Sequence, residues 1–186
     1  MKNMVAVVLI SFILCGCSNK NTEMDRVMNL RSSIINADSC QFSANVTADF
    51  SDKTYSFSMR CEVDKEGNTQ FEVIDPSNIA GISGKILSEG GQLLFDDAIL
   101  AFHLQVDGLL SPVSAPWVLV QALRGGYVRY CGTEDQLLRL TVDDSYETDA
   151  LTLDIWLNAD NQPIHADIYE NNRRIFTISI TDFQMM

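Results

Sequence analysis

Residues 42–63 read FSANVTADFSDKTYSFSMRCEV, and the alternation within this stretch decides the fold class. Every second residue of 42–50 is apolar and the residues between them are polar, and 55–63 repeat the pattern. A period of two is that of a strand with one buried face. The stretch therefore predicts two antiparallel strands joined by the polar turn at 51–53.

The same period returns further along the chain and extends the predicted sheet to about nine strands. Turn-forming residues separate the segments, and the hairpin connections at 158–163 and 170–173 are the clearest of them. The further strands are predicted at 69–74, about 82–88, about 92–96, about 99–106, 138–142, 151–157, 164–168 and 176–180.

Two helices are predicted, one before the sheet and one within it. Apolar residues at spacings of three and four indicate an amphipathic helix at about 23–37, behind a capping box formed by Thr22 and Asp25. The second helix follows Ser114 as its N-cap, has Pro116 in its first turn and ends at Gly125-Gly126. It is apolar nearly all round, so we expect it to be buried or to close over something apolar.

These elements predict an α+β fold that is mainly antiparallel β. Strands with one apolar face must cover that face, and a strongly curved sheet covers it by wrapping around a helix. We therefore expect an incomplete, open β-barrel with the apolar central helix in or over its concavity and the amphipathic helix in front.

Charge and composition exclude several classes of protein. The chain has 13 Lys and Arg against 25 Asp and Glu, a formal net charge of −12. Binding to nucleic acid requires clustered Lys and Arg, so a nucleic-acid partner is excluded. Ten Gly, four Pro and 46% hydrophobic residues also exclude a collagen and a disordered chain.

The N-terminal residues predict export and a lipid anchor. Residues 1–16 have the features of a signal peptide, because Lys2 precedes an apolar run at 4–14 that is too short to span a bilayer. The run ends at Leu14-Cys15-Gly16-Cys17, which resembles the lipobox of bacterial lipoproteins. On this interpretation Cys17 is lipidated, 17–22 are the anchor and a polar tether, and 23–186 form one extracytoplasmic domain on the cell membrane or outer membrane. The alternative is a plain secretory signal with an incidental cysteine.

The order of the predicted helices and strands along the chain resembles that of a known family, although no single sequence motif does. Its parts are the leading helix, the hairpin at 42–63, the strand at 90–95, the apolar helix after Pro116 and the closing run PIHADIY at 163–169. In this order the chain resembles the LolA/LolB superfamily of lipoprotein carriers and related lipid-binding lipoproteins. The resemblance implies an incomplete barrel, lidded by short helices, that holds acyl chains or other apolar ligands.

The apolar loop before the second helix, together with that helix, indicates a lid over an apolar pocket. The alternative for each of these side chains is an ordinary place in the core. The predicted ligand-binding residues are Phe57, Met59, Leu109, Leu110, Trp117, Leu119, Val120 and Leu123.

No catalytic site, metal site or cofactor is predicted. His103 and His165 stand apart without Cys-x-x-Cys or His-x-x-x-His, and no Gly-x-Ser-x-Gly or phosphate-binding loop occurs. The acidic run at 143–149 offers oxygen ligands to Ca²⁺, but it lacks the EF-hand glycine and spacing, which favours a solvated loop.

Three cysteines remain after Cys17, and their state stays open between two alternatives. Outside the cytoplasm a bridge between Cys40 and Cys61 is conceivable, with Cys131 left over. Buried free thiols are equally compatible with the pattern, because Cys61 falls on the apolar face of its strand.

The leading hypothesis is a non-enzymatic, membrane-anchored lipoprotein that binds a lipid, an acyl chain or another apolar ligand in a half-barrel cavity, with a role in lipid or lipoprotein transport. The alternative is a structural or regulatory envelope lipoprotein that acts through protein contacts. In that case its own side chains fill the concavity.

Overall fold

The computed structural model describes residues 22–87, 90–95, 98–103, 105–106, 109–148 and 150–186. The predicted signal peptide, the lipidated Cys17 and the tether up to residue 21 lie outside these residues. In chain order the elements are helix α1 (Thr22–Asn36), β1 (Ser39–Asp49), β2 (Thr54–Asp64), β3 (Thr69–Asp75), β4 (Ser83–Leu87), β5 (Gly90–Phe95), β6 (Ala98–Phe102), β7 (Gln105–Val106), β8 (Leu109–Leu110), a 3-10 turn (Pro112–Ser114), helix α2 (Ala115–Gly125), β9 (Tyr127–Glu134), β10 (Leu137–Asp143), β11 (Thr152–Leu157), β12 (Pro163–Glu170) and β13 (Arg173–Met185).

Eleven of the strands form one antiparallel sheet in the order β6-β5-β4-β3-β2-β1-β13-β12-β11-β10-β9. Its two outermost strands, β6 and β9, are not hydrogen-bonded to each other, so the barrel is open. The prediction of an open, mainly antiparallel barrel is therefore confirmed. Within the described part of the chain, β7 and β8 pair with each other as a separate ribbon.

The hairpin at 42–63 has the register that its alternation predicts. Phe42 lies opposite Cys61 and Val46 lies opposite Phe57, and all four side chains are buried on the inner face of the sheet. The polar residues between them point to the outer face, where they are exposed or half-buried.

Two parts of the strand prediction are wrong. The predicted strand at 99–106 is divided between β6 and β7. Strand β9 is missing from the prediction because it lies at the edge of the sheet and has no clean burial alternation. The exposed side chains of Tyr127 and Tyr130 break the period of two there.

The cysteines at 40, 61 and 131 are free thiols, which decides between the two alternatives for the first pair. Cys40 lies opposite Val63 and Cys61 lies opposite Phe42, so the two thiols occupy diagonal positions on β1 and β2. Burial raises the pKa of Cys61 far above its ordinary value. Burial also raises the pKa of Cys40, and the positive charge of Arg124 offsets part of that rise.

Helix α1 is fixed to the barrel by apolar packing and by two arginines. Val27, Leu30 and Ile34 are buried against the core. Arg26 donates from Nε to Asn161 Oδ1 (2.6 Å) and from Nη2 to the Asn158 carbonyl (3.1 Å), both in the turn between β11 and β12.

The second arginine, Arg31, joins the two helices. Its Nη2 donates to the carbonyl oxygens of Ala122 (3.2 Å) and Gly126 (2.6 Å) at the C-terminal end of α2. A cation at this end of a helix satisfies carbonyl groups that have no partner within the helix. The contact joins α1 to the end of α2, which packs on β2, β10 and β13 across the concave face.

We expect Leu123→Ala to lower the free energy of unfolding by about 2–5 kcal/mol, because Leu123 is fully buried in α2 and its loss leaves a cavity. Urea unfolding measures the change. The matched control is Met28→Ala on the exposed side of α1, for which we expect a change within about 0.5 kcal/mol. Equal losses in the two variants would contradict the placement of α2 in the core.

The turn after β2 supplies a pH-dependent part of the stability. Burial disfavours the charged form of Asp64, but Asn68 donates to its carboxylate from the backbone N–H and the side-chain amide (both 2.8 Å), and the net result is a lowered pKa. Because the folded-state pKa lies below the unfolded value of about 3.9, this contribution is present above that value and is lost as the pH falls.

We therefore expect Asp64→Asn to remove one component of the acid-induced loss of stability. Urea unfolding between about pH 5 and pH 3 should show a shallower decline for the variant than for the parent chain. Parallel declines would mean that the Asn68 hydrogen bonds do not favour the ionised form of Asp64.

Candidate functional site

Helix α2 occupies the concave face of the sheet, where the ligand site was predicted. Leu119, Val120 and Leu123 are buried with exposures of 0–1%. Phe57 and Met59 on β2 and Leu110 before the helix are buried in the same apolar cluster. Trp117 is partly buried against that cluster, and the side chain of Leu109 lies outside the described part of the chain.

The structure thus brings most of the predicted ligand-binding residues together, as one packed core. Each buried side chain has its apolar partners within the chain itself. For a ligand to lie between α2 and the sheet, these contacts would have to be exchanged for contacts with the ligand. The assignment of a ligand to these residues stays a prediction.

A hollow of about 580 Å³ lies on the other, outer face of the sheet, at strands β1–β6. We call it the outer groove. The lining residues are Gln41, Arg60, Cys61, Glu62, Gln70, Phe71, Glu72, Ser83, Gly84, Lys85, Gln92, Leu93, Leu94 and Ile99.

The strand register arranges the outward residues of the outer groove in two rows that cross the strands. One row runs Gln41, Glu62, Gln70, Lys85 and Gln92, each opposite the next on the neighbouring strand. The second row, from β2 to β6, runs Arg60, Glu72, Ser83, Leu94 and Ile99. Each row crosses five strands, and the four strand spacings of about 4.8 Å between them give each row a length of about 19 Å.

The chemistry of the outer groove is mixed. Arg60 and Glu72 form an exposed ion pair (3.5 Å), and Lys85 and Glu62 add one charge of each sign. Such an exposed pair contributes little to stability.

At the sheet edge the second row ends on Leu94 and Ile99, which face each other across β5 and β6 and are 45% and 70% exposed. Sequence reasoning did not find this groove, because an outward strand position normally indicates a solvated face. The signal was Leu94 and Ile99, two large apolar residues at outward positions.

A second polar cluster lies on the outer face of β10–β13. Asp154 and Asp167 face each other across β11 and β12, and both are buried. Asp154 accepts from Arg139 Nη2 (2.8 Å) and Thr141 Oγ1 (2.6 Å), and its hydrogen bond with Arg139 raises the pKa of that guanidinium. Both Asp154 oxygens therefore have donors from the chain itself.

The neighbouring carboxylate of Asp167 is satisfied in the same way. It accepts from Arg174 Nη1 (3.2 Å) and Thr177 Oγ1 (2.8 Å). His165 lies 3.6 Å from Asp167 and packs on Trp156 at 5.0 Å between ring centroids. We interpret the cluster as a structural brace across four strands, since its acceptors are filled from within.

The histidine and acidic candidates form no metal centre in the described part of the chain, where no group of three His, Cys, Asp or Glu residues is placed to hold an ion. His103 is exposed. In the acidic run, Asp143 accepts from Thr152 Oγ1 (2.8 Å) and Asp144 accepts from the Leu151 N–H (2.9 Å). Glu147 is exposed, and Asp149 lies outside the described residues.

No protein-family model and no curated protein sequence matches the chain. Among solved structures, a LolA superfamily protein from Nitrosomonas europaea is 6% identical over 88% of this chain and 93% of that chain, with a TM-score of 0.48. The lipoprotein LppX from Mycobacterium tuberculosis is 9% identical over 89% and 96%, with a TM-score of 0.44. A chain of the complex between the CwlD amidase of Clostridioides difficile and the GerS lipoprotein is 13% identical over 90% and 98%, with a TM-score of 0.42.

The similar solved structures include a protein of the LolA superfamily, the superfamily that the order of the elements resembles. At these identities the likeness transfers no ligand, partner or activity. Neither of the two described helices has the length and hydropathy of a membrane-spanning segment.

We expect Asp154→Ala to lower the free energy of unfolding by about 1.5–3 kcal/mol, because it removes a charged acceptor that holds Arg139 and Thr141. Glu134→Ala is the matched control, since exposed Glu134 is the other carboxylate partner of Arg139 (3.0 Å) and should contribute less than about 1 kcal/mol. Urea unfolding compares the two. A larger loss for Glu134→Ala would contradict the brace.

Proposed function

We propose that the chain is a lipid-anchored, extracytoplasmic lipoprotein that performs no covalent chemistry and binds a protein partner in the outer groove. One observation carries the proposal: among the described residues, α2 packs its buried side chains against the concave face, and the hollow of about 580 Å³ lies on the opposite face. The anchor is the part that rests on the sequence, through Cys17 and its leader.

The lining of the outer groove favours a polypeptide over an acyl chain. An acyl chain laid along the two rows would cover the charged groups of Arg60, Glu62, Glu72 and Lys85 without giving them hydrogen bonds, which is costly. A polypeptide supplies donors and acceptors for these groups. A length of about 19 Å accommodates about five or six residues of extended chain.

The edge of the sheet adds an apolar contact and free main-chain groups. Among the described strands, β6 pairs only with β5, so its other edge carries backbone groups that none of these strands pairs with. Edges of this kind accept an added strand from another chain. Leu94 and exposed Ile99 stand next to this edge and provide a site for an apolar side chain of the partner.

A second candidate function is binding of a lipid or acyl chain under α2, with a role in lipid or lipoprotein transport. The composition of α2 favours it, because 117–120 are apolar in succession and Trp117 is only partly buried. The ligand would have to replace the contacts of Leu119, Val120 and Leu123, each worth about 1.5–3 kcal/mol of burial. This requirement makes protein contact the stronger proposal.

Photo-crosslinking in the native host tests the outer groove. A photoreactive residue at Gln92 should give a discrete protein adduct, and the same residue at exposed Ser56, on the outer face but outside the groove, should give none. Ile99→Lys should abolish the Gln92 adduct by placing a charge at the apolar rim, and Ile74→Lys, an exposed position outside the groove, should leave it unchanged.

Equal adducts from Gln92 and Ser56, or none from Gln92, would overturn the proposed groove. Mass spectrometry of the protein purified from its own membrane tests both the lipid anchor and the second candidate function, lipid binding under α2. Acyl mass on Cys17 supports the anchor. A non-covalent lipid that a fluorescent fatty acid displaces would favour the site under α2.

A further inference from the structure

The length of the tether restricts how far the domain can stand from its membrane. If Cys17 carries the lipid, as the proposed function holds, only five residue steps lead from it to Thr22, where α1 begins. Five fully extended steps span at most about 18 Å. The first turn of α1 must therefore lie near the lipid surface.

Helix α1 cannot swing away from the barrel to adjust to that surface. Three buried side chains, the Arg26 bonds to Asn158 and Asn161, and the Arg31 bonds to the end of α2 hold it along its length. At its start Glu23 accepts a hydrogen bond from Thr133 (3.0 Å) on β9. The orientation of α1 relative to the membrane is thus the orientation of the whole domain.

One flank of α1 carries a stripe of three residues, of which two are apolar and are covered by nothing in the described chain. Met28, Ser32 and Ile35 follow one another at spacings of four and three, so they stand in line along the helix. Met28 is 47% exposed and Ile35 is 45% exposed. Exposed Met185 belongs to the same end of the barrel, because it pairs with Cys40 just after the helix.

The charges near the stripe indicate which lipid surface it fits. Both arginines of α1 are turned to acceptors within the domain, while Asp25 and Asp38 are exposed on or beside the helix. Lys65 is paired with Asp38 (3.4 Å). Among the described residues, this end therefore has no basic cluster of the kind that attracts anionic headgroups, and it suits a zwitterionic surface.

We propose that the stripe of Met28, Ser32 and Ile35 lies in the interface of the membrane that holds the Cys17 anchor. The acyl chains supply the affinity, so the stripe has only to orient the domain at the high local concentration that a short tether imposes. Flexible methionine side chains adapt readily to an irregular apolar surface. The domain then rests on α1.

Site-directed fluorescence on the full, lipidated chain in vesicles tests this orientation. Single cysteines replace Met28, Ile35 or, as the control at the far end of β2, Ser56, in a Cys131→Ser background, and each carries an NBD label. The vesicles are phosphatidylcholine, with and without phosphatidylglycerol, and contain a lipid-borne nitroxide quencher. We expect blue-shifted, strongly quenched emission at 28 and 35 and water-like, unquenched emission at 56.

A further variant distinguishes lipid contact from simple proximity. The label at Ser32→Cys should lose most of its quenching when Met28 and Ile35 are both changed to Asp. Addition of phosphatidylglycerol should not strengthen the quenching at any position, because no basic cluster attracts it.

Three outcomes would overturn the inference. Labels at 28 and 35 as solvent-exposed as the label at 56, on protein that still sediments with the vesicles, would refute the orientation and leave the anchor intact. Labels that are shielded but not quenched by lipid would mean that a protein covers the stripe. Protein that fails to sediment and carries no acyl mass would refute the Cys17 anchor and, with it, the proposed tethering.

Discussion

The structure depends on one constraint: an open sheet of eleven strands has an apolar inner face that must be covered. A closed barrel would cover the face by itself, but β6 and β9 do not meet. Helix α2 therefore crosses the concavity and buries its own apolar side chains against the sheet. The hydrogen bonds from Arg31 to the Ala122 and Gly126 carbonyls then tie this cover to α1, so the two helices and the sheet form one unit.

The same constraint shows why much of the fold could be predicted from the sequence. Alternation in 42–63 and in the C-terminal strands reports burial on one face, and burial on one face is what an open barrel gives to most strands. The prediction failed where that rule does not apply. Strand β9 is an edge with exposed tyrosines, and β6 lies at the opposite edge.

The candidate site was less predictable for a different physical reason. An apolar helix is compatible with a core and with a lid, and the sequence pattern is identical in the two cases. The outer groove is built from Gln41, Lys85 and other outward residues that any solvated strand could carry. Only the register, which aligns these residues in two rows across the strands, makes a site of them.

The groove and the stripe on α1 are related through the first residues of β1. Gln41 opens one row of the groove only two residues after β1 begins, and α1 ends at Asn36, just before that strand. A domain that rests on α1 would therefore hold this end of the groove close to the lipid surface. The long axis of the groove runs across neighbouring strands, perpendicular to their direction. Its far end is at Ile99, at the edge of the sheet. A partner in the groove would then run alongside the membrane, which favours a protein that is itself held at that surface.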